Sequence, residues 1–191
     1  MQNQGQPSVH DARSRFEAVA LPHLNAAYNL ARWLTHNDQD ARDVVQEAML
    51  RALRYFGGFR GGEARPWLLQ IVRHTCWSWL EQNRPAEVVP IDDDDGAAWR
   101  ELPAPAAHEP PMVAARNAER DQVNRALAAL PAAYREVLVL RELEDLPYRD
   151  IARIAGIPLG TVMSRLARAR ERMRQVLAPD VRPLLRKVGE A

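Results

Sequence analysis

Apolar positions along this chain recur at helical spacing. Nowhere do β-branched residues alternate with polar ones over a strand's length, so the pattern predicts an all-α fold. A first helix is predicted from about Arg13 to Leu34. Asp38 or Asp40 can cap a second, from Ala41 to about Phe56. The pairs Gly57-Gly58 and Gly61-Gly62 break it. Pro66 suits the first turn of a third helix, which continues to about Asn83. Beyond a polar stretch, helices are predicted from Pro111 to Leu130, Pro131 to Arg141, Tyr148 to Ala155 and Gly160 to Leu177. Gly156-Ile157-Pro158 forms the turn before the last of these, and Pro179 and Pro183 follow it.

The stretch between the two helical blocks has a different composition. Residues 85–111 hold six prolines and the run Asp92, Asp93, Asp94, Asp95. Such a composition buries too little apolar surface to offset its ordering entropy, so it reads as a linker. The predicted layout is two small helical domains, 11–84 and 112–178, joined by an acidic, Pro-rich linker, 85–111, with a tail, 179–191.

Net charge is +1, which hides an uneven distribution. Residues 1–84 carry ten Arg against eight acids, a net +2. Residues 85–111 carry one Arg against seven acids, a net −6. Residues 112–191 carry fourteen Arg and one Lys against ten acids, a net +5. Two mildly basic blocks therefore flank an acidic strap.

Several classes of chemistry are disfavoured. Cys76 is the only cysteine, so the chain has neither an internal disulfide nor a CxxC metal site. The five histidines form no HxxxH or HExxH pair, and GxGxxG, GxxxxGK[ST] and GxSxG are absent. We therefore expect no metal, no cofactor, no small-molecule substrate and no catalytic residues. No apolar run approaches the ~20 residues of a membrane span. The first ten residues are polar, with no secretion-signal core. A cytoplasmic protein without membrane insertion is expected.

The segment YRDIARIAGIPLGTVMSRLARARERM carries the most specific pattern, that of a helix-turn-helix. Ala152 is the small residue where a second helix crosses. Gly156, four residues on, supplies positive φ for the turn. Val162 locks the second helix into the core, and Ile151, Ile154 and Ile157 complete the buried side. At 100° per residue, Val162, Leu166, Ala169 and Met173 share the inner face. Gly160, Ser164, Ala167, Arg168 and Glu171 share the outer face, flanked by Thr161, Met163 and Arg165. Arg168 can offer its fork to a guanine edge, while Thr161 and Arg165 suit phosphates.

In the second helix of the first block, Val44, Val45, Ala48, Ala52 and Phe56 fall on one side. Asp43, Gln46, Glu47, Leu50 and Arg54 fall on the other, which reads either as a solvated face or as a docking surface for a basic partner helix with Leu50 as its apolar contact. In the third helix, Trp67, Trp77 and Trp79 are interleaved with Arg73, His74 and Arg84. Aromatic groups among cations suit stacking on unpaired bases, and equally the tryptophans suit core. Trp67, Leu68, Ile71 and Val72 are assigned to core, and His74 and Trp77 to the exposed side. Cys76 reads as a small buried filler.

In order, these elements resemble an extracytoplasmic-function sigma factor, the two-domain class of bacterial transcription-initiation factors. DARDVVQEAMLRAL resembles the family's core-polymerase-binding helix. FRGGEARPWLLQIVRHTCWSWLEQNR resembles its promoter-melting and minus-ten-reading segment, and LPAAYREVLVLRELEDLPYRDIARIAGIPLGTVMSRLARARERM its sigma-four domain. The resemblance implies that Asp43, Gln46, Glu47 and Leu50 meet the coiled coil of the polymerase β′ subunit. It implies that Arg73, His74, Trp77 and Ser78 serve the minus-ten DNA. It implies that Thr161, Met163, Ser164, Arg165, Ala167 and Arg168 serve the minus-thirty-five DNA, with the sigma-four domain on the β flap. The acidic linker, Asp92 to Asp95, would pass near the RNA path and mimic RNA. An anti-sigma factor is the further partner implied. The chain departs from the common family pattern at His74, where asparagine is frequent, and at Met163, where a basic residue is frequent. The rival readings are a stand-alone helix-turn-helix repressor or activator and a protein-interaction adaptor.

Overall fold

A computed structural model describes residues 9–84 and 122–177, with side chains from residue 11 onward. The linker, the start of the second predicted domain and the tail lie outside the described residues. The described residues are helical, with no strand among them, and fall into two compact units divided between Asn83 and Arg84.

The first unit contains α1 (Val9–Ala20), α2 (Leu24–Thr35), α3 (Asp38–Tyr55) and α4 (Ala64–Asn83). The single helix predicted from Arg13 to Leu34 is in fact two. A 3-10 turn, Leu21–His23, interrupts it around Pro22, which has no N–H for a helical hydrogen bond and whose ring crowds the preceding turn. The cap of α3 also differs from expectation. Asn37, not Asp38 or Asp40, takes the position, accepting from the backbone N–H of Gln39 at 2.7 Å and of Asp40 at 3.1 Å. His36 precedes it in the left-handed region, φ 58°, and closes α2 by donating its N–H to Arg32 O at 2.9 Å. A two-residue link thus turns α2 into α3. Asp38 is released to pair with Arg32 Nε at 2.7 Å, and that hydrogen bond holds its carboxyl below the usual carboxylate range.

Helices α2, α3 and α4 pack pairwise, and α1 lies against α4. Ala27, Leu30, Ala31 and Leu34 of α2, Val44, Ala48 and Ala52 of α3, and Leu68, Val72, Cys76 and Leu80 of α4 are buried. The alanines let the helix backbones approach closely, and leucines fill the remaining space. Phe16, Phe56, Phe59 and Trp67 close one end, with Phe59 and Trp67 centroids 4.8 Å apart.

The second unit contains a helix over 122–129 (α5), α6 (Ala132–Leu138), α7 (Tyr148–Ala155) and α8 (Leu159–Val176). The helix predicted to reach Arg141 as regular α-helix widens after Leu138 into a π-helical turn, Val139–Leu143, closed by Glu144 N–H on Val139 O at 3.1 Å. Val137, Leu140, Leu146, Ile151, Ile154, Val162, Leu166, Ala169 and Met173 form the core. Arg135, 1% exposed, sits inside it and donates to Ala128 O and Leu130 O at 2.9 and 2.8 Å, capping the end of α5.

Candidate functional site

Helix α3 has a fully amphipathic cross-section. Its buried residues, Ala41, Val44, Val45, Ala48 and Ala52, recur at three- and four-residue spacing along one face, so the residues between them point outward. Asp43, Gln46, Glu47, Leu50 and Arg54 are all exposed, as the sequence pattern requires, whereas Phe56 is half-buried in the aromatic cluster. Gln39 donates to Asp43 Oδ1 at 3.2 Å, and Arg51 Nε pairs with Glu47 Oε1 at 2.7 Å. The acidic ridge is thus pre-ordered along the helix but remains in solvent, where such pairs contribute little stability. Leu50 is 54% exposed and Leu53, three residues on, 42%. Leu53 was missed in the sequence reading. Its i, i+3 relation to Leu50 was the available signal.

Helix α4 separates the tryptophans. Trp67 joins the phenylalanine cluster at the N-terminal end. Ten residues on, about 15 Å along the axis, Trp77 carries the Arg73 guanidinium 5.3 Å from its ring centroid. His74 is exposed, while Arg73, Trp77 and Ser78 are half-buried. These four share one side of α4. Of the residues assigned to core, Leu68 and Val72 are fully buried, whereas Trp67 and Ile71 are half-buried because α4 presents them at its margin. Cys76 is fully buried. In the 3-10 turn between α1 and α2, burial and the nearby charge of Arg65 on α4 lower the His23 imidazole pKa.

Helices α7 and α8 form the helix-turn-helix. Gly156 adopts φ +67° and its N–H bonds Ala152 O, which also receives the Ile157 N–H at 3.1 Å. Ile151 and Ile154 are buried as expected; Ile157 is half-buried, because it lies in the turn rather than on the inner face of a helix. Val162, Leu166, Ala169 and Met173 pack inward. Met163, Ser164 and Ala167 are exposed, and Thr161, Arg165 and Arg168 are half-buried beside them. Ser164 Oγ donates back to Thr161 O at 3.1 Å. The fork of Arg170 reaches Glu142 Oε1 through Nε at 3.0 Å and NH2 at 2.7 Å. Burial alone would lower the Arg170 pKa, but hydrogen bonds with Glu142 and Tyr148 outweigh it and raise it. One guanidinium therefore joins the π-helical turn, the first residue of α7 and the middle of α8.

Asp92 to Asp95 lie outside the described residues. Among the described residues, no three His, Cys, Asp or Glu side chains are placed to hold a metal, and no helix is long and apolar enough to cross a membrane.

Comparison with known proteins places two family models on the chain. The sigma-70 region 2 model matches residues 20–85, and the sigma-70 region 4 model matches residues 120–173. The chain is 32% identical over 170 residues to the RNA polymerase sigma-H factor of Pseudomonas aeruginosa, covering 87% of this chain and 88% of that protein. It is 35% identical over 151 residues to the ECF RNA polymerase sigma-E factor of Escherichia coli K12, covering 75% and 76%. Among solved structures, it matches the sigma factor RpoE from Bartonella quintana, crystallised with the anti-sigma factor NepR, at TM-score 0.65 and 27% identity, covering 87% of this chain and 99% of that one. CnrH, in complex with the cytosolic domain of CnrY, shares the fold at TM-score 0.57 and 22% identity.

Proposed function

The chain belongs to the extracytoplasmic-function sigma factors, and from that premise we propose how its parts divide the work of starting transcription. Members of this family bind core RNA polymerase and direct it to promoters. A stand-alone helix-turn-helix regulator is not favoured, because a region 2 match precedes the region 4 match in the same chain.

In this reading residues 11–84 bind core polymerase and open the minus-ten DNA, and residues 112–178 read the minus-thirty-five DNA. Asp43, Gln46, Glu47 and Leu50 dock on a basic coiled coil of the polymerase β′ subunit. Arg73, His74, Trp77 and Ser78 receive unpaired minus-ten bases. Thr161, Met163, Ser164, Arg165, Ala167 and Arg168 face the minus-thirty-five duplex while the rest of the second unit sits on the β flap. Asp92 to Asp95 occupy a cationic RNA path by charge. The protein acts in the cytoplasm without catalysis of its own, and an anti-sigma factor covers its polymerase-binding faces until a signal removes it. The sigma factor RpoE from Bartonella quintana is described in complex with an anti-sigma factor, which supports a partner of that kind here.

One observation carries the docking assignment: the acidic ridge of α3 is solvent-facing from Asp43 to Leu50 while the opposite face alone fills the core. Reversing Asp43 and Glu47 to Arg should therefore leave folding intact, since no buried atom changes. Affinity for core polymerase, followed by fluorescence anisotropy, should fall at least tenfold. Unchanged affinity in a variant with a wild-type melting curve would remove α3 as the docking face. Comigration of the full chain with core enzyme stripped of its own sigma factor tests the wider reading.

A further inference from the structure

Helix α8 presents two unlike flanks to solvent. On one side of Ser164 lie Thr161, Arg165 and Arg168, which carry hydroxyl and guanidinium groups. On the other side lie Leu159, Met163 and Ala167. Residues four apart on a helix are offset by about 40°, so these three form a slightly winding ridge over the first half of α8. Leu159 is 45% exposed and Met163 54%, and Ala167 is exposed as well. The inner face of the helix is already filled by Val162, Leu166, Ala169 and Met173, so the ridge contributes nothing to the core. Single exposed apolar residues are ordinary on protein surfaces. A register of three, beside a hydroxyl and an arginine, on the helix that carries the helix-turn-helix outer face is a patterned apolar surface.

The major groove offers one apolar group along its floor, the thymine 5-methyl. Recognition helices of this type meet base edges with their N-terminal residues, and Leu159 is the first residue of α8. Each four-residue step advances about 6 Å along the axis, comparable to two base-pair steps of about 3.4 Å. The unbranched thioether of Met163 adapts to an irregular apolar surface without leaving a polar group unpaired. Gly160 lies between the ridge and Ser164, and a Cβ built there would meet nothing within 4 Å, so this edge of the helix is slim enough for close approach.

We infer that Leu159, Met163 and Ala167 form a reader of thymine methyl groups, with Met163 as its centre, working beside the polar readout by Ser164 and Arg168. This rests on the assignment of α8 as the minus-thirty-five reader. The recognition face is then split lengthwise: an arginine flank for guanine edges and phosphates, and an apolar flank for methyl-bearing pyrimidines.

The test uses holoenzyme assembled from the full chain and core RNA polymerase. A duplex pool randomised across the upstream promoter element is selected for binding. The enriched duplex is remade with deoxyuridine at each thymine in turn, which removes only the 5-methyl group. At one or more positions the wild type should bind the uracil duplex about fourfold more weakly, as burial of one methyl group implies. Met163→Ala should bind the thymine duplex as weakly as wild type binds the uracil one, and should no longer respond to the exchange. Met163→Leu should keep the response. A wild type indifferent to uracil at every position overturns the inference, as does a Met163→Ala variant that keeps the full response. Arg168→Ala reports separately on the premise: it should lose discrimination against a scrambled duplex while still sensing the methyl. If the pool yields no enriched sequence and Arg168→Ala matches wild type on every duplex, the assignment of α8 itself fails, and the ridge is a protein-binding surface.

Discussion

Arg135 ties two segments of the second unit together from inside its core. Its guanidinium is enclosed in the core and holds the Ala128 and Leu130 carbonyls at the end of α5. Arg135→Met keeps much of the volume and removes the donors, leaving the Leu130 carbonyl buried without that partner. The loss should be about 2–3 kcal/mol, the scale of a stranded buried polar group, read as a lower midpoint in urea at unchanged slope. Gly156→Ala is a milder change. A Cβ would meet no neighbour, and only the left-handed backbone resists it, so about 1–2 kcal/mol is expected from the same titration. The two residues differ in how far the sequence announces them. Gly156 answers a local demand of a turn, and its spacing from Ala152 and Val162 exposes it. Arg135 looks like any solvated arginine, because what buries it is the arrival of α5 carbonyls from another element.

At the scale of elements, the ion pair between the π-helical turn and α8 sets how α8 is seated. Glu142 and Arg170 are 28 residues apart in sequence, yet their side chains are only 19% and 32% exposed. Removing either partner alone leaves the other charge partly desolvated, so Glu142→Gln and Arg170→Leu should each cost about 1–2 kcal/mol. The double variant should cost clearly less than the sum of the two, and a double-mutant cycle on thermal unfolding reads that coupling. Strict additivity would mean that the pair does not hold α8. Helix existence followed from the apolar period, whereas helix ends did not. The break at Pro22 hides inside a continuous apolar pattern, and the capping role of Asn37 was masked by two neighbouring aspartates that are equally good formers of caps. The π-helical turn has no period of its own to detect. The outer faces of α3 and α8 were legible because burial of the opposite face is a property of one helix alone. The opposite sides taken by Trp67 and Trp77 were legible too, but the half-burial of both rings was not, since for Trp67 it depends on the phenylalanines of the α3–α4 connection.

At the scale of the whole molecule, strand separation is the step that would draw on both units. Unstacking a base costs a few kcal/mol, and stacking it on an aromatic side chain returns about 1–3 kcal/mol. These are close enough that one ring decides the balance. Trp77→Ala combined with His74→Ala should therefore impair opening of a duplex promoter, while binding through the upstream element survives. A template with a pre-opened minus-ten bubble should recover most of the activity, and permanganate reactivity of thymines on the two templates is the measurement. Because Trp77 is half-buried, a melting curve of the free variant comes first; normal opening of duplex by a folded variant would remove Trp77 and His74 from strand opening.

The burial of Cys76 makes the chain its own stopwatch. It is the only thiol, it is wholly enclosed between helices, and it lies on α4 one residue from Trp77. A maleimide can reach it only when the helices of the first unit part, so its alkylation rate counts openings of that unit. With reagent that reacts slowly compared with reclosing, the rate reports the opening equilibrium. Core polymerase clasping α3 should slow the clock at least tenfold by favouring the closed form, and the Asp43 and Glu47 reversals should let it run at the pace of the free protein.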